Sequence, residues 1–142
     1  MVPALALALL LAQSAPPPWE GAQLLFLQGD LARAEELAHG CAARADPKCQ
    51  RQLEALARYA FLAHRADALA RAEAAQFVAL DRQLGNGTPA RLTRPVLARF
   101  VEQPLALARA RLAAGQILDA WALVAEVLEV DPTNAEAQRL FR

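Results

Sequence analysis

The sequence has little glycine, and few of its residues are β-branched or aromatic. Only 6 of the 142 residues are glycine, and none stands in the spacing of a glycine-rich phosphate-binding loop. Ala and Leu dominate instead, and this bias favours helix along nearly the whole chain. The length is sufficient for one domain with a real hydrophobic core. The composition therefore predicts an all-α protein.

Neither sign of charge is in excess. Lys plus Arg (15) equals Asp plus Glu (15), so the formal net charge is zero. Because proteins that bind nucleic acid carry a basic excess on one face, no nucleic-acid partner is expected. Six arginines recur in the second half of the chain: Arg82, Arg91, Arg94, Arg99, Arg109 and Arg111. They could line an anionic groove, although the solvated helix faces of an arginine-biased protein show the same pattern.

No residue pattern typical of catalysis or metal binding is present. His39 and His64 stand alone, without a Cys, Asp or Glu at the spacing of a catalytic or zinc site. Glu35 and Glu36 are adjacent on a predicted helix, so their side chains point in different directions. The sequence therefore predicts no enzymatic activity, no cofactor and no metal.

No charged side chain precedes Glu20. Residues 4–12 are apolar and are followed by small residues and by three prolines, which is the layout of a secretory signal peptide. We predict a signal peptide at residues 1–14, cleaved before Ala15, and a Pro-rich spacer at residues 15–18. The apolar run is shorter than the roughly 20 residues of a membrane span. The start lacks Lys and Arg, so an ordinary apolar helix, or a chain whose true start lies upstream, would look similar.

This leader predicts export to the periplasm or cell envelope, with no transmembrane span after cleavage. If the leader is not cleaved, the protein is expected in the cytoplasm.

Two segments at opposite ends of the chain have the same pattern of turn, small and apolar residues. At a constant offset of 86 residues, Gly29, Leu31, Ala34, Leu37 and Ala38 match Gly115, Ile117, Ala120, Leu123 and Val124. Asp46-Pro47 matches Asp131-Pro132 one residue out of step. Two Ala/Leu-rich helices can be similar by chance, but a shared turn glycine and a shared Asp-Pro terminator favour an internal repeat.

This pattern resembles the tetratricopeptide repeat, whose helical hairpins stack into a solenoid. The resemblance implies a right-handed α-solenoid of about three antiparallel hairpins. Only one of the basic residues is Lys, and this bias toward Arg and Ala suggests a bacterial source. The implied repeats are residues 19–47, 48–84 and 104–132, followed by a short C-terminal capping helix at residues 133–142. Thr133 with Glu136 three residues later is a capping-box pattern that opens this last helix.

The offset of 86 residues is about two and a half repeats of 34 residues, so the surplus is predicted to be an insertion at residues 85–103. Gly85-Asn86-Gly87 supplies a sharp turn. A short helix with an apolar face follows at residues 93–101. We expect Val96 and Phe100 to present this face as a surface for another chain.

Cys41 and Cys49 lie on the apolar stripes of consecutive predicted helices, on either side of the Asp46-Pro47 turn. Antiparallel helices joined by this turn would bring the two cysteines together, and exported proteins fold in an oxidising compartment. We therefore predict a Cys41–Cys49 disulfide. Two reduced cysteines in the core are the alternative.

The resemblance also implies a protein-binding function without catalysis. In such repeats the first helix of each hairpin lines a concave groove that holds a segment of a partner protein. Transferred to this sequence, the groove positions are Trp19, Gln23, Phe26, Leu53, Ala57, Phe61, Leu105, Arg109 and Leu112. The alternative is a structural subunit that oligomerises, or assembles in an envelope complex, through the insertion helix at residues 93–101.

Overall fold

The computed structural model describes residues 18–141, and most of them are helical. No strand occurs within that range, which confirms the all-α prediction for the described part of the chain. The predicted signal peptide, residues 1–14, lies outside the described residues. So do the spacer residues before Pro18, which itself opens the first helix.

The helices are α1 (Pro18–Gln28), α2 (Leu31–Ala43), α3 (Pro47–Ala63), α4 (Arg71–Gly85), α5 (Arg94–Leu97), α6 (Gln103–Ala113), α7 (Ile117–Val130) and α8 (Ala135–Leu140). A short 3-10 turn, Ala66–Ala68, precedes α4. Helices α1 to α4 pack each against the next, and α1 also contacts α3 and α4. Helix α7 packs against α4, α6 and α8.

The turn after α1 is closed by a Schellman motif. The N–H of Gly29 donates to Phe26 O (3.0 Å), and the N–H of Asp30 donates to Leu25 O (2.9 Å). Gly29 adopts a φ of +88°, a conformation that favours glycine. Asp30 then begins α2 by accepting a hydrogen bond from the N–H of Arg33 (3.3 Å).

The turn after α6 has the same two hydrogen bonds. The N–H of Gly115 donates to Leu112 O (3.0 Å), and the N–H of Gln116 donates to Arg111 O (2.8 Å). The φ of Gly115 is +78°. All four residues stand 86 positions after their counterparts in the first turn. The internal similarity in the sequence therefore extends to the backbone hydrogen bonds of the two turns.

The turn between α2 and α3 places an alanine in the left-handed region. Ala45 has a φ of +61°, and its N–H donates to Ala42 O (3.0 Å). The Asp46 carboxylate then caps α3 by accepting from the N–H groups of Lys48 (2.9 Å) and Cys49 (3.2 Å). The Asp-Pro pair therefore begins a helix as well as ending the previous one.

Substitution of Ala45 by glycine is expected to stabilise the fold by roughly 1 kcal/mol, because the left-handed conformation is unfavourable for a residue with a Cβ. The control is the same substitution at the exposed helical residue Ala32, which should be destabilising by about 0.5–1 kcal/mol. Urea denaturation of both variants measures the two changes. If both variants were destabilised, the turn would not have this conformation in solution.

Cys41 and Cys49 form a disulfide, as predicted. Their Cα atoms are 5.9 Å apart, and both residues are fully buried. The bond joins the last turns of α2 to the first turn of α3, directly beside the Ala45–Asp46 connection. The two helices are thus covalently linked at the end where the chain passes between them.

An aromatic cluster joins α1, α3 and α4. The ring of Phe26 meets the ring of Tyr59 edge-on, with centroids 4.8 Å apart, and Tyr59 stacks on Phe77 at 4.3 Å. All three residues are buried. Helix α1 also approaches α4 through its side chains, because Gln23 Nε2 donates to Leu84 O (2.8 Å). The first four helices therefore share one core.

Helix α5 continues into α6 without a turn. A π-helical segment, Ala98–Glu102, connects the two. Pro104 in the first turn of α6 has no N–H to donate to a preceding carbonyl, and a π-helical turn is one way in which a helix accommodates such a disruption. The predicted insertion and the third predicted repeat are consequently joined by continuous helix.

The last helix begins one residue later than the capping-box pattern indicates. Asn134 caps α8 by accepting from the N–H of Ala137 (2.9 Å). The hydroxyl of Thr133 accepts a hydrogen bond from Arg82, and Glu136 forms an ion pair with Arg109 of α6. The predicted capping role of Thr133 was therefore wrong, because both side chains of the pattern bind other elements.

Candidate functional site

The groove implied by the tetratricopeptide resemblance must be corrected at four of its positions. Trp19, Phe26 and Leu105 are buried in the core. Gln23 is half-buried, and its amide is hydrogen-bonded to the backbone of α4. A partner cannot reach the first three of these side chains while the protein is folded.

The remaining groove positions do not form a continuous surface. Leu53 and Leu112 are partly buried and pack against the core. Arg109 forms the ion pair with Glu136. Ala57 and Phe61 are exposed on α3, and the guanidinium of Arg58 lies 5.3 Å from the centroid of the Phe61 ring.

The insertion surface also requires correction. Val96 is 2% exposed, and Phe100 is partly buried against the core. The apolar face of this segment therefore packs inward, where it completes the hydrophobic core. The sequence pattern correctly identifies the apolar face. It cannot distinguish a face that packs against its own chain from a face that binds another chain.

A buried polar network holds the segment before α5 in place. The hydroxyl of Thr93 donates to Asp81 Oδ1 (2.6 Å), and the N–H of Ala90 donates to the same oxygen (2.9 Å). The hydroxyl of Tyr59 lies 2.7 Å from the Thr93 oxygen. Because Thr93 has a single hydroxyl hydrogen and gives it to Asp81, Tyr59 is the donor in this second bond. The network joins α3, α4 and the insertion.

Burial shifts the pKa values of the two ionisable groups in this network. Burial raises the pKa of Asp81 above its ordinary value, and the hydrogen bonds from Thr93 and Ala90 and the charge of Arg82 oppose that change. Burial also raises the pKa of Tyr59. Both shifts favour neutral side chains in the core, which fits a structural role for the network.

A cleft of about 270 Å³ lies beside this network, between α4, α5 and the turn that leads to α8. Its acidic lining residues include Asp81 and Asp131, both of which are buried. Asp81 binds the insertion, and Asp131 forms an ion pair with Arg82. These contacts hold α4 against its neighbours, so we interpret the cleft as part of an internal packing interface.

The strongest candidate for an interaction surface is on α7. Ile117 is 50% exposed, Leu118 77% and Trp121 45%, although all three are large apolar residues. Their spacing of three and four residues places them on one side of the helix. We call this surface the α7 face. It adjoins the core side of the helix, which buries Ala120, Val124 and Val127.

Helix α8 packs against α7 but is much shorter than α7. It spans six residues against fourteen in α7, which corresponds to roughly 9 Å against 21 Å of helix length. Ala137 of α8 is buried and Leu140 partly buried. Further along α7 from the exposed residues, Ala125 and Leu128 are also partly buried. The apolar side of α7 is thus shielded near its C-terminus and open to solvent near its N-terminus.

The apolar residues of α7 could have indicated the α7 face from the sequence, but the repeat comparison assigned one of them to the core. Matching Ile117 to Leu31 placed it on a core stripe, yet half of its side chain is exposed. Helix α7 is apolar around most of its circumference, and one core-facing stripe does not need so many apolar residues. A second apolar side on a helix indicates a second contact.

Within residues 18–141, no group of three or more His, Cys, Asp or Glu side chains is arranged to hold a metal ion. In the same range, no helix combines the length and the apolar character that crossing a membrane requires. A comparison of the chain with protein-family models, with curated proteins and with solved structures finds no match.

Proposed function

We propose that this protein is an exported, tetratricopeptide-like interaction module, without catalytic activity, that binds a helical segment of a partner protein on the α7 face. The observation that carries the proposal is the exposure of Ile117, Leu118 and Trp121 on one side of a helix whose adjoining side is already packed in the core. Contiguous apolar side chains of this kind on a soluble domain mark protein-binding sites.

The occupant follows from what already lies on the same helix. Helix α8 packs against α7, so α7 already accepts one short helix. The apolar stripe of the α7 face continues along the helix, because Trp121, Ala125 and Leu128 follow one another at steps of four and three residues. An amphipathic helix, with apolar residues at similar spacing, is therefore the partner segment that fits.

Export is part of the proposal, and the disulfide supports it. Such bonds persist in oxidising compartments and are rare in the cytosol, and Cys41–Cys49 is formed between two buried residues. The structural-subunit alternative has lost its proposed contact, because Val96 is buried. A second copy of this chain at the α7 face is instead an outcome that the following experiment detects.

A photo-crosslinking residue at Leu118, introduced in the native host, is expected to give a discrete adduct with another polypeptide. The crosslinked segment of that polypeptide, mapped by mass spectrometry, should be an amphipathic helix. Leu24 on α1 is the matched control, since it is also an exposed leucine (55%), and it should give no such adduct. Trp121→Glu should abolish the adduct at position 118 while leaving the circular dichroism spectrum unchanged.

Three results would overturn the proposal. One is an adduct of the chain with a second copy of itself, which would assign the α7 face to self-association. Another is the same set of adducts from positions 118 and 24, which would mean that the face has no selectivity. The third is a crosslinked partner segment that is not helical.

A further inference from the structure

Three arginines of the insertion have no acidic partner among residues 18–141. Arg91, Arg94 and Arg99 are exposed, and none of them forms an ion pair there. By contrast, Arg82 and Arg109 of the same arginine run are paired with Asp131 and Glu136. Arg111 of the run also lacks an ion pair, but it donates to Gln116 Oε1 (2.9 Å) in the next turn. What sets the insertion apart is that three such arginines lie within nine residues of one another.

These arginines surround two adjoining clefts, of about 530 Å³ and 670 Å³. Arg91 and Pro95 line both clefts, Arg99 lines the first, and Arg94 lines the second. We call this surface the basic cleft. Because Arg91 and Pro95 are shared, the two clefts form one concave surface along the start of α5.

The wall of the first cleft is largely apolar and is built on the core. Leu92 is partly buried and Val96 is buried, and across from them lie Ala63 and Ala66, also partly buried. Small-molecule and peptide sites commonly combine such an apolar wall with a few charged groups at the rim. The arrangement suits a ligand that has apolar groups and negative charges close together.

The acidic groups near the basic cleft do not neutralise it. Asp67 lines the first cleft, but its contact with Arg99 is through its backbone oxygen, which accepts from Arg99 Nη1 (3.0 Å). Glu102 lines the second cleft without forming an ion pair within the described residues. His64, at the edge of the first cleft, is the only other titratable group there. Three guanidinium groups therefore face two carboxylates.

We infer that the basic cleft binds an acidic segment of a partner protein, in which carboxylate and apolar side chains alternate. The guanidinium group matches the geometry of a carboxylate, and the apolar wall accommodates the side chains between the charges. A concave site on a chain with zero net charge is unsuited to the broad, flat contact that an anionic membrane makes. The site lies on a different segment from the α7 face and does not depend on it.

Fluorescence anisotropy with a short labelled peptide of alternating Glu and Leu tests this inference on the mature protein. The affinity is expected to fall about tenfold in the Arg91→Gln/Arg94→Gln/Arg99→Gln variant, and to weaken as salt is added. Arg44→Gln/Arg51→Gln/Arg139→Gln is the matched control, because it removes the same charge from other exposed arginines without an ion pair. That control should bind as the unaltered protein does.

Arg99 has a structural hydrogen bond, so the Arg91→Gln/Arg94→Gln variant, in which Arg99 is retained, provides a second measurement and should also bind more weakly. Equal affinity for the peptide with Gln in place of Glu would overturn the inference, as would equal losses in the cleft and control variants. Stronger, cleft-dependent binding to vesicles that contain phosphatidylglycerol would also overturn it, because the ligand would then be a lipid surface.

Discussion

Reduction of the Cys41–Cys49 disulfide is expected to lower the free energy of unfolding by about 2–3 kcal/mol. The bond closes a loop between residues separated by 8 positions, and its main effect in the chain-entropy account is to restrict the unfolded chain. Since small domains are stable by only about 5–15 kcal/mol in total, this loss is a substantial part of their stability. Urea denaturation with and without a reductant measures the difference.

The matched control is the Cys41→Ala/Cys49→Ala variant, whose stability should not respond to the reductant. Both cysteines are fully buried, so alanine, which is small and apolar, fits the site better than serine. The effect of reductant on the unaltered protein measures the stability that the covalent bond adds. The double-alanine variant shows in addition what is lost with the packing of the sulfur atoms. If reductant left the unfolding of the unaltered protein unchanged, the bond would not stabilise the fold.

Replacement of Asp81 by alanine is expected to lower the free energy of unfolding by about 2–4 kcal/mol, because it leaves the buried N–H of Ala90 and the hydroxyl of Thr93 without an acceptor. These two bonds help to attach the insertion to α4, so the backbone amides of the insertion should also exchange faster with solvent hydrogen in this variant. Asp81→Asn is the matched control, since the amide oxygen can accept both bonds. It should stay within about 1 kcal/mol of the unaltered protein at neutral pH.

Asp81 also makes the stability depend on pH. Folding raises the pKa of its carboxyl group, so the folded state holds the proton more tightly than the unfolded state does. The stability that this pKa shift of Asp81 adds is therefore fully present below the pKa of Asp81 in the unfolded state, near 3.9. It is lost as the pH rises through the pKa of Asp81 in the folded state. In Asp81→Asn this decline should disappear. An identical pH profile for both proteins would show that Asp81 does not titrate differently on folding.

The helices could be predicted from local chemistry, and so could the disulfide. Turn glycines with positive φ and Asp-Pro pairs that begin and end helices act within a few residues, where the sequence pattern is informative. The cysteine pair follows from one such turn, because Asp46-Pro47 fixes how α2 and α3 meet. Ala45 shows where prediction from local residue types ends, because an alanine side chain does not indicate a left-handed backbone conformation.

The interaction surfaces depend on which helices meet, and this is where prediction from the sequence failed. The tetratricopeptide resemblance places Trp19 in a groove, and the apolar face of a short helix suggests Val96 as a surface residue, but both side chains are buried in the core. Conversely, the match to Leu31 places Ile117 on a core stripe, although half of its side chain is exposed. Exposure is decided by residues far away in the chain.

The continuous helix from Arg94 to Ala113 fixes a distance between the two proposed contacts. Its first turns line the basic cleft as far as Arg99, and it ends one turn before the α7 face, so roughly 21 Å of helix separates Arg99 from the end of α6. A partner that carried both an acidic stretch and an apolar helix would bind the second site as an intramolecular step, at high effective concentration. The chain between its two motifs would need about six residues or more, because each extended residue spans at most about 3.5 Å. A partner with a shorter connection could occupy only one of the two surfaces at a time. It would then compete only with partners that bind the same surface.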